Sequence, residues 1–218
     1  MTFQLDQLKQ EVRIALDENA LSRELSALRD VPTLTLDELI LSKIEPAALA
    51  VVQQAPVSLL SDVSSVLTGS LNVIGLSANT FCLGLNLPSD FLRLVRFQLS
   101  GWAYPVYEAL PPSSPQYLRS HSIYGVCGTN DRPRVFHVPG AYGRGMLEIH
   151  SASSAEDTLC NCLYVKIPTV QNNSISLPAL LHYATVYYAA YLVCLSINDT
   201  EYAEKMLLSY KSQTEQKE

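Results

Sequence analysis

The sequence predicts an α+β fold: a helical platform built from N- and C-terminal helices, carrying an inserted antiparallel β-sandwich or open barrel. Three observations point to it. Apolar residues recur at three- and four-residue intervals before residue 68 and after residue 176, the period of an amphipathic helix. Between these limits the period drops to two, most clearly where Val95, Phe97 and Leu99 alternate with Arg96, Gln98 and Ser100, as in a half-buried strand. Turn-forming runs such as Ser77-Ala-Asn79 and Pro111-Pro-Ser-Ser-Pro115 punctuate the same middle stretch. The expected parts are a helical segment over 1–69, a β domain over 70–175, and helices with a tail over 176–218 packing on the first.

Taken in order, Leu5, Leu8, Val12 and Ala15, then Leu21, Leu25 and Leu28, form a narrow apolar stripe on one helix or two. Pro32 stops it. Thr35-Leu-Asp-Glu38 has the form of a capping box, with Leu34 and Leu39 placed as a hydrophobic staple. That helix is expected to run to about Glu45, restart at Pro46 and end before Pro56. A further short helix is expected from Ser58 to Leu67, closed by Gly69. A hairpin follows, Leu71–Leu76 against Phe81–Leu85, then strands over Leu92–Leu99 and Trp102–Ala109. After a short turn or helix at Gln116–Arg119 come three strand candidates, Val135–Val138, Met146–His150 and Leu159–Ile167. Helix returns at Ser176-Leu177-Pro178, with Leu181, Thr185, Tyr188, Leu192 and Leu195 on one face and Tyr183, Tyr187 and Tyr191 on another. Asp199 or Thr200 can cap a last helix from Glu201 to about Ser212.

Composition narrows the function classes. The chain has 218 residues, 48% hydrophobic and 17% charged, enough for one domain of two parts. A formal net charge of −6 with no basic run argues against a dedicated nucleic-acid binder, whose affinity comes largely from clustered Lys and Arg. Five cysteines, Cys82, Cys127, Cys160, Cys162 and Cys194, are an odd number and suggest reduced thiols. Met1-Thr-Phe-Gln-Leu-Asp-Gln has neither a basic leader nor an apolar core, so no secretory signal is expected. Leu177–Ile197 is long enough to span a bilayer, yet it carries His182, Thr185, Ser196 and four tyrosines without flanking basic anchors. A buried helix, and no membrane, is the expectation.

Catalytic motifs are missing. Cys160-Asn-Cys162 offers two corners of a metal site but no second pair at zinc spacing, and two thiols on the same face of a strand are the favoured reading. His121, His137, His150 and His182 are scattered. There is no G-x-S-x-G, Walker loop or G-x-G-x-x-G, and Gly140-Ala-Tyr-Gly-Arg-Gly145 reads as a hairpin turn. The expectation is no enzyme, no metal and no cofactor. The sequons at Asn172 and Asn198 are discounted without a secretory leader.

Thr35-Leu-Asp-Glu-Leu-Ile to Glu45-Pro-Ala-Ala-Leu, Ala55-Pro-Val-Ser-Leu-Leu, Leu87-Pro-Ser-Asp-Phe-Leu-Arg-Leu, and Leu177-Pro-Ala-Leu-Leu with its tyrosine-rich sequel, in this order, carry a resemblance over roughly residues 33–200. The chain resembles head–tail connector (adaptor, or ring) proteins of short-tailed bacteriophages, particularly crAss-like phages. The resemblance implies a non-enzymatic virion protein at the head–tail junction, assembled in the bacterial host cytoplasm. It would form a homo-oligomeric ring, normally a dodecamer, beneath the portal protein, extending the channel through which genomic DNA passes without specific binding. Further tail or ring proteins would dock below. By position, Asp199, Glu201, Tyr202, Lys205, Tyr210 and Lys211 would reach the portal. Leu8, Val12 and Leu25 of the N-terminal stripe, with Tyr187 and Tyr191, are the candidate subunit interface, because a closed heterologous ring needs two unlike surfaces. The alternative is a carbohydrate- or ligand-binding β module on a helical stalk, with Trp102, Tyr104, Tyr107 and Tyr142 as an aromatic platform.

Overall fold

The computed structural model describes residues 1–16, 35–77, 80–121, 128–140, 145–152 and 154–215. It is α+β, with three antiparallel sheets and no closed barrel among the described residues. The chain divides into a helical unit, Met1–Val63 with Ile167–Glu218, and a β unit, Ser64–Lys166.

The helical unit opens with a short strand, β1 (Thr2–Gln4), leading into α1 (Leu5–Ala15). The second half of the expected stripe, Leu21 to Leu28, lies outside the described residues, as does Leu34. Helix α2 (Leu36–Gln54) starts at the capping box: the Thr35 hydroxyl accepts from the Glu38 amide at 3.3 Å, and the Glu38 carboxylate accepts from the Thr35 amide at 2.8 Å. Those bonds hold the Glu38 carboxyl below its ordinary range.

Contrary to the expected restart, α2 runs unbroken through Pro46. An internal proline costs about 3 kcal/mol. The residues on either side of it outweigh that: Ile40, Ile44, Ala47, Ala48, Val51 and Val52 are all buried, and each fully buried Ile or Val contributes about 1.5–3 kcal/mol. Beyond Ala55 the expected Ser58–Leu67 helix is replaced by two 3₁₀ turns, Val57–Leu59 and Ser61–Val63. The second supplies a distant cap, since the Asp62 carboxylate accepts from the Ala179 amide at 2.9 Å.

The last third of the chain completes this unit. The β unit was expected to extend to residue 175, but two strands near that limit pair elsewhere. They are β9 (Val170–Gln171) and β10 (Ser174–Ser176), in a sheet ordered β1-β10-β9. Their hairpin turns on Asn172 and Asn173, at φ 50° and 58°, the paired left-handed conformation that suits a two-residue turn. Helix α4 (His182–Ser196) follows a 3₁₀ turn at Ala179–Leu181, so it begins four residues later than Pro178 suggested. It ends in a Schellman motif. Asn198, at φ 62°, donates to the Leu195 carbonyl at 3.2 Å, and Asp199 donates to the Cys194 carbonyl at 3.0 Å.

That left-handed position makes a prediction. Asn198→Val is expected to lower the stability of the helical unit by about 1–2 kcal/mol, the cost of the conformation to a β-branched residue, while Asn198→Gly is nearly neutral. Urea unfolding checks the pair, and equal stabilities contradict it. Helix α5 (Thr200–Glu215) then packs back on α4. One core joins Leu8, Val12, Ile40, Ile44, Ala48, Ile175, Val186, Ala190, Val193, Ala203 and Met206. Ala179–Ser196 is long and apolar enough to cross a membrane, and half of that stretch is buried inside the protein.

In the β unit, β2 (Ser64–Val66), β8 (Leu163–Lys166) and β5 (Phe91–Arg96) form one antiparallel sheet, ordered β2-β8-β5. The other is ordered β3-β4-β7-β6, from β3 (Leu71–Ser77), β4 (Thr80–Asn86), β6 (Val135–Val138) and β7 (Met146–Ala152). A short helix, α3 (Pro115–Ser120), is capped by the Ser114 hydroxyl, which accepts from the Tyr117 amide at 3.3 Å. Leu83, Leu85, Leu147 and Ile149 meet Leu94, Tyr164, Phe97, Leu99 and Trp102 in a common core.

Two expected strands shrink. Among the described residues Trp102–Ala109 makes only a Phe97–Val106 bridge, because Pro105 lacks the amide that a longer ladder needs. The Leu159–Ile167 segment pairs regularly only from Leu163, with a single Leu99–Leu159 bridge before it.

Candidate functional site

Most of the candidate contact residues read from the sequence fall on or beside the two C-terminal helices. α4 is apolar nearly all round, and its sides have different fates. Thr185, Val186, Ala189, Ala190, Val193 and Cys194 are buried. On the other side a row spaced four residues apart reaches solvent: Tyr183 is 58% exposed, Tyr187 and Tyr191 are half-buried, and Leu195 is 46% exposed. Leu195 was expected on a face with Leu181, Thr185 and Tyr188, apart from the tyrosine row. The α4 turn carries it outward, while Val193 and Cys194 take the core positions. Tyrosine suits such a row, since its ring can be covered while its hydroxyl still finds a polar partner.

The other interface candidates fare differently. Leu8 and Val12 are each 1% exposed and sit in the core of their own helical unit, so α1 spends its stripe inside the chain. Leu25 lies outside the described residues. Around α1, Arg13 and Lys9 both reach Asp37 of α2, at 2.6 and 3.5 Å, and Glu11 pairs with buried His182 of α4 at 2.5 Å. These polar links fasten α1 to its neighbours.

The portal-docking candidates on α5 split by side. Asp199 caps the helix, its carboxylate accepting from the Tyr202 amide at 3.1 Å. Tyr210 is 7% exposed. Its hydroxyl donates to Gln54 at 3.0 Å and its ring meets Tyr188 edge-on at 5.0 Å, so it belongs to the chain's own core, and burial pushes its hydroxyl pKa up. Glu201, Tyr202, Lys205 and Lys211 face solvent. Lys205 pairs with Glu201 at 2.8 Å and lies 4.9 Å from the centre of the Tyr202 ring. The bond and charge of Lys205 hold the Glu201 carboxyl down, and Glu201 holds the ammonium up. Such an exposed pair contributes little to stability. Leu208, 66% exposed on the same helix, was missed. Its only sequence signal is a third apolar residue beside Met206 and Leu207, one more than the inward side can take.

A row that reaches solvent at Tyr183 and Leu195, with Tyr187 and Tyr191 partly covered by the chain's own core, can bind another surface beside a charged helix. A family model described as SU10 adaptor protein matches residues 3–217. The chain belongs to the SU10 adaptor protein family. It is a phage structural adaptor and therefore a virion component. No curated protein matches the chain.

Trp102 is 4% exposed, with Nε1 donating to the Ser151 carbonyl at 2.9 Å, so it cannot serve in an aromatic platform. Tyr104 and Tyr107 are exposed, and Tyr142 lies outside the described residues. Cys160 is exposed and Cys162 buried, with burial pushing the Cys162 thiol up, so the two thiols do not share one strand face. Cys127 lies outside the described residues. His137 packs on Phe91, and burial lowers its pKa. His121 and His150, far apart in sequence, meet at Glu148.

Proposed function

We propose that this adaptor assembles as a closed homo-oligomeric ring beneath the portal of a short-tailed, crAss-like phage, normally twelve copies, and joins the portal to the tail. The observation that carries the proposal is the Tyr183-Tyr187-Tyr191-Leu195 row, an apolar surface on a helix already buried on its other side. Aromatic residues at the centre of an interface are the ones that dominate its affinity. A closed heterologous ring needs a second, unlike surface. Val73 and Ile74 supply one: they are 51% and 45% exposed on β3, an edge strand of the four-stranded sheet.

The acidic composition supports a channel that DNA traverses. A net charge of −6 gives few phosphate contacts, and it is those contacts that would hold DNA in place. Glu201, Tyr202, Lys205, Leu208 and Lys211 form the portal-facing side of α5.

Replacing both Lys205 and Lys211 with glutamate is expected to reduce recovery of this adaptor on its cognate portal at least about tenfold, with helical content unchanged. Buried interfacial charge contacts cost about 2–5 kcal/mol when broken. Co-purification with the portal, alongside circular dichroism, measures this. Undiminished docking by the double variant, or by a chain truncated before residue 200, would count against the assignment of α5.

A further inference from the structure

We propose that His121, Glu148 and His150 form a binding site for a zinc-class divalent transition metal within the β unit. The residues come from two places. His121 is the C-cap of α3, and Glu148 and His150 are alternate residues on β7. Glu148 and His150 therefore point to one face of the sheet, the face on which α3 lies.

The donor atoms converge. His150 Nε2 is 3.2 Å and His121 Nε2 is 3.6 Å from Glu148 Oε2, and all three donors lie within 4.8 Å of one another. A metal bound at about 2.0–2.2 Å to imidazole and carboxylate holds its ligands roughly 3–3.6 Å apart. Two of the three separations already match. The third needs only a small movement of His121, whose side chain is 44% exposed, while the Glu148 and His150 side chains are 12% and 7% exposed.

The surroundings suit a metal. His121 Nδ1 lies 3.0 Å from the Tyr117 carbonyl, which can only accept, so Nδ1 carries a proton and Nε2 is the nitrogen turned toward Glu148. Metal-ligating histidines are oriented in this way by a hydrogen bond to the other nitrogen. The Phe136 and Tyr117 rings pack edge-on at 5.1 Å beside the site, and His150 meets Phe136 at 5.2 Å, so one wall is dry. Two imidazoles and one carboxylate form a donor set for zinc, cobalt, nickel or ferrous iron rather than magnesium or calcium. With three protein ligands, a fourth position is left for water. The metal would pin α3 to β7.

The test uses the full chain, freed of metal with a chelator and titrated with zinc chloride by calorimetry, then with cobalt chloride by absorption spectroscopy. The expected results are one zinc per chain, a raised melting temperature with zinc, as any ligand of the folded state produces, and a cobalt spectrum lacking a thiolate charge-transfer band. His121→Ala, at the exposed ligand, and Glu148→Gln, which keeps the shape of the buried one, should each weaken zinc binding at least about tenfold, the loss even an outer-shell partner produces. No zinc binding by the wild-type chain, a thiolate band from the cysteines, or unaltered affinity in a folded variant would each overturn the proposal.

Discussion

Trp102→Ala is expected to destabilise the β unit by about 3–5 kcal/mol, the range for removing a large buried aromatic side chain. The magnitude follows from three things the ring does. It is 4% exposed, its plane is tilted against Phe97 at a centroid distance of 5.7 Å, and its Nε1 donates to the Ser151 carbonyl at 2.9 Å. Alanine leaves a void beside Phe97 and Leu99 and strips the Ser151 carbonyl of that donor, which by itself costs about 1–3 kcal/mol for a buried group. Trp102→Phe separates the two losses, since it restores most of the packing and none of the hydrogen bond. Trp102 is the chain's single tryptophan, so circular dichroism in urea is the suitable probe for the variants. A loss below about 1 kcal/mol in Trp102→Ala would show that Trp102 does not organise the two sheets.

The second large effect falls on assembly rather than folding. Tyr183→Glu combined with Leu195→Glu is expected to abolish self-association while the chain stays folded, because both side chains reach solvent within the single chain and neither supports its core. Central aromatic contacts in an interface are each worth about 2 kcal/mol or more, and 1.4 kcal/mol is a tenfold change in affinity. The loss of the tyrosine, together with an unpaired carboxylate placed in the apolar row at position 195, recurs at every seam of the proposed ring, so the effects multiply. Multi-angle light scattering, or imaging of the adaptor on its portal, reads the outcome. Rings of wild-type size formed by the double variant would remove α4 from the interface.

Much of the fold was legible because local signals and tertiary structure agree. Thr35 and Glu38 close the capping box that their spacing announces, and the β3–β4 hairpin lies where two apolar alternating runs flank a turn. Where expectation failed, a tertiary term overruled a local one. Pro46 ought to break α2, and does not, because the residues around it are buried on the facing helices. Residues 170–175 read as part of the β insert, but β10 pairs with β1 at the opposite end of the sequence, a contact that no local pattern encodes.

The candidate site was half legible for the same reason. Periodicity marks a helix side as apolar without saying whether the chain itself covers it. Leu8 and Val12 are covered, and Tyr183 and Leu195 are not. Tyr210 and Lys211, adjacent in sequence, part company because a helix turns about 100° between them. The His121–Glu148–His150 cluster was invisible because its first member is 27 residues away from the second, and only the packing of α3 on the sheet joins them.

The most direct test counts adaptor subunits on the cognate portal, by cryo-electron microscopy or native mass measurement of the co-purified complex. A closed ring of many copies, twelve if the likeness to short-tailed phage connectors extends to stoichiometry, with the α4 tyrosine row at each seam, is the predicted result. A single copy per portal, or a ring whose seams leave Tyr183, Tyr187, Tyr191 and Leu195 in solvent, would contradict it.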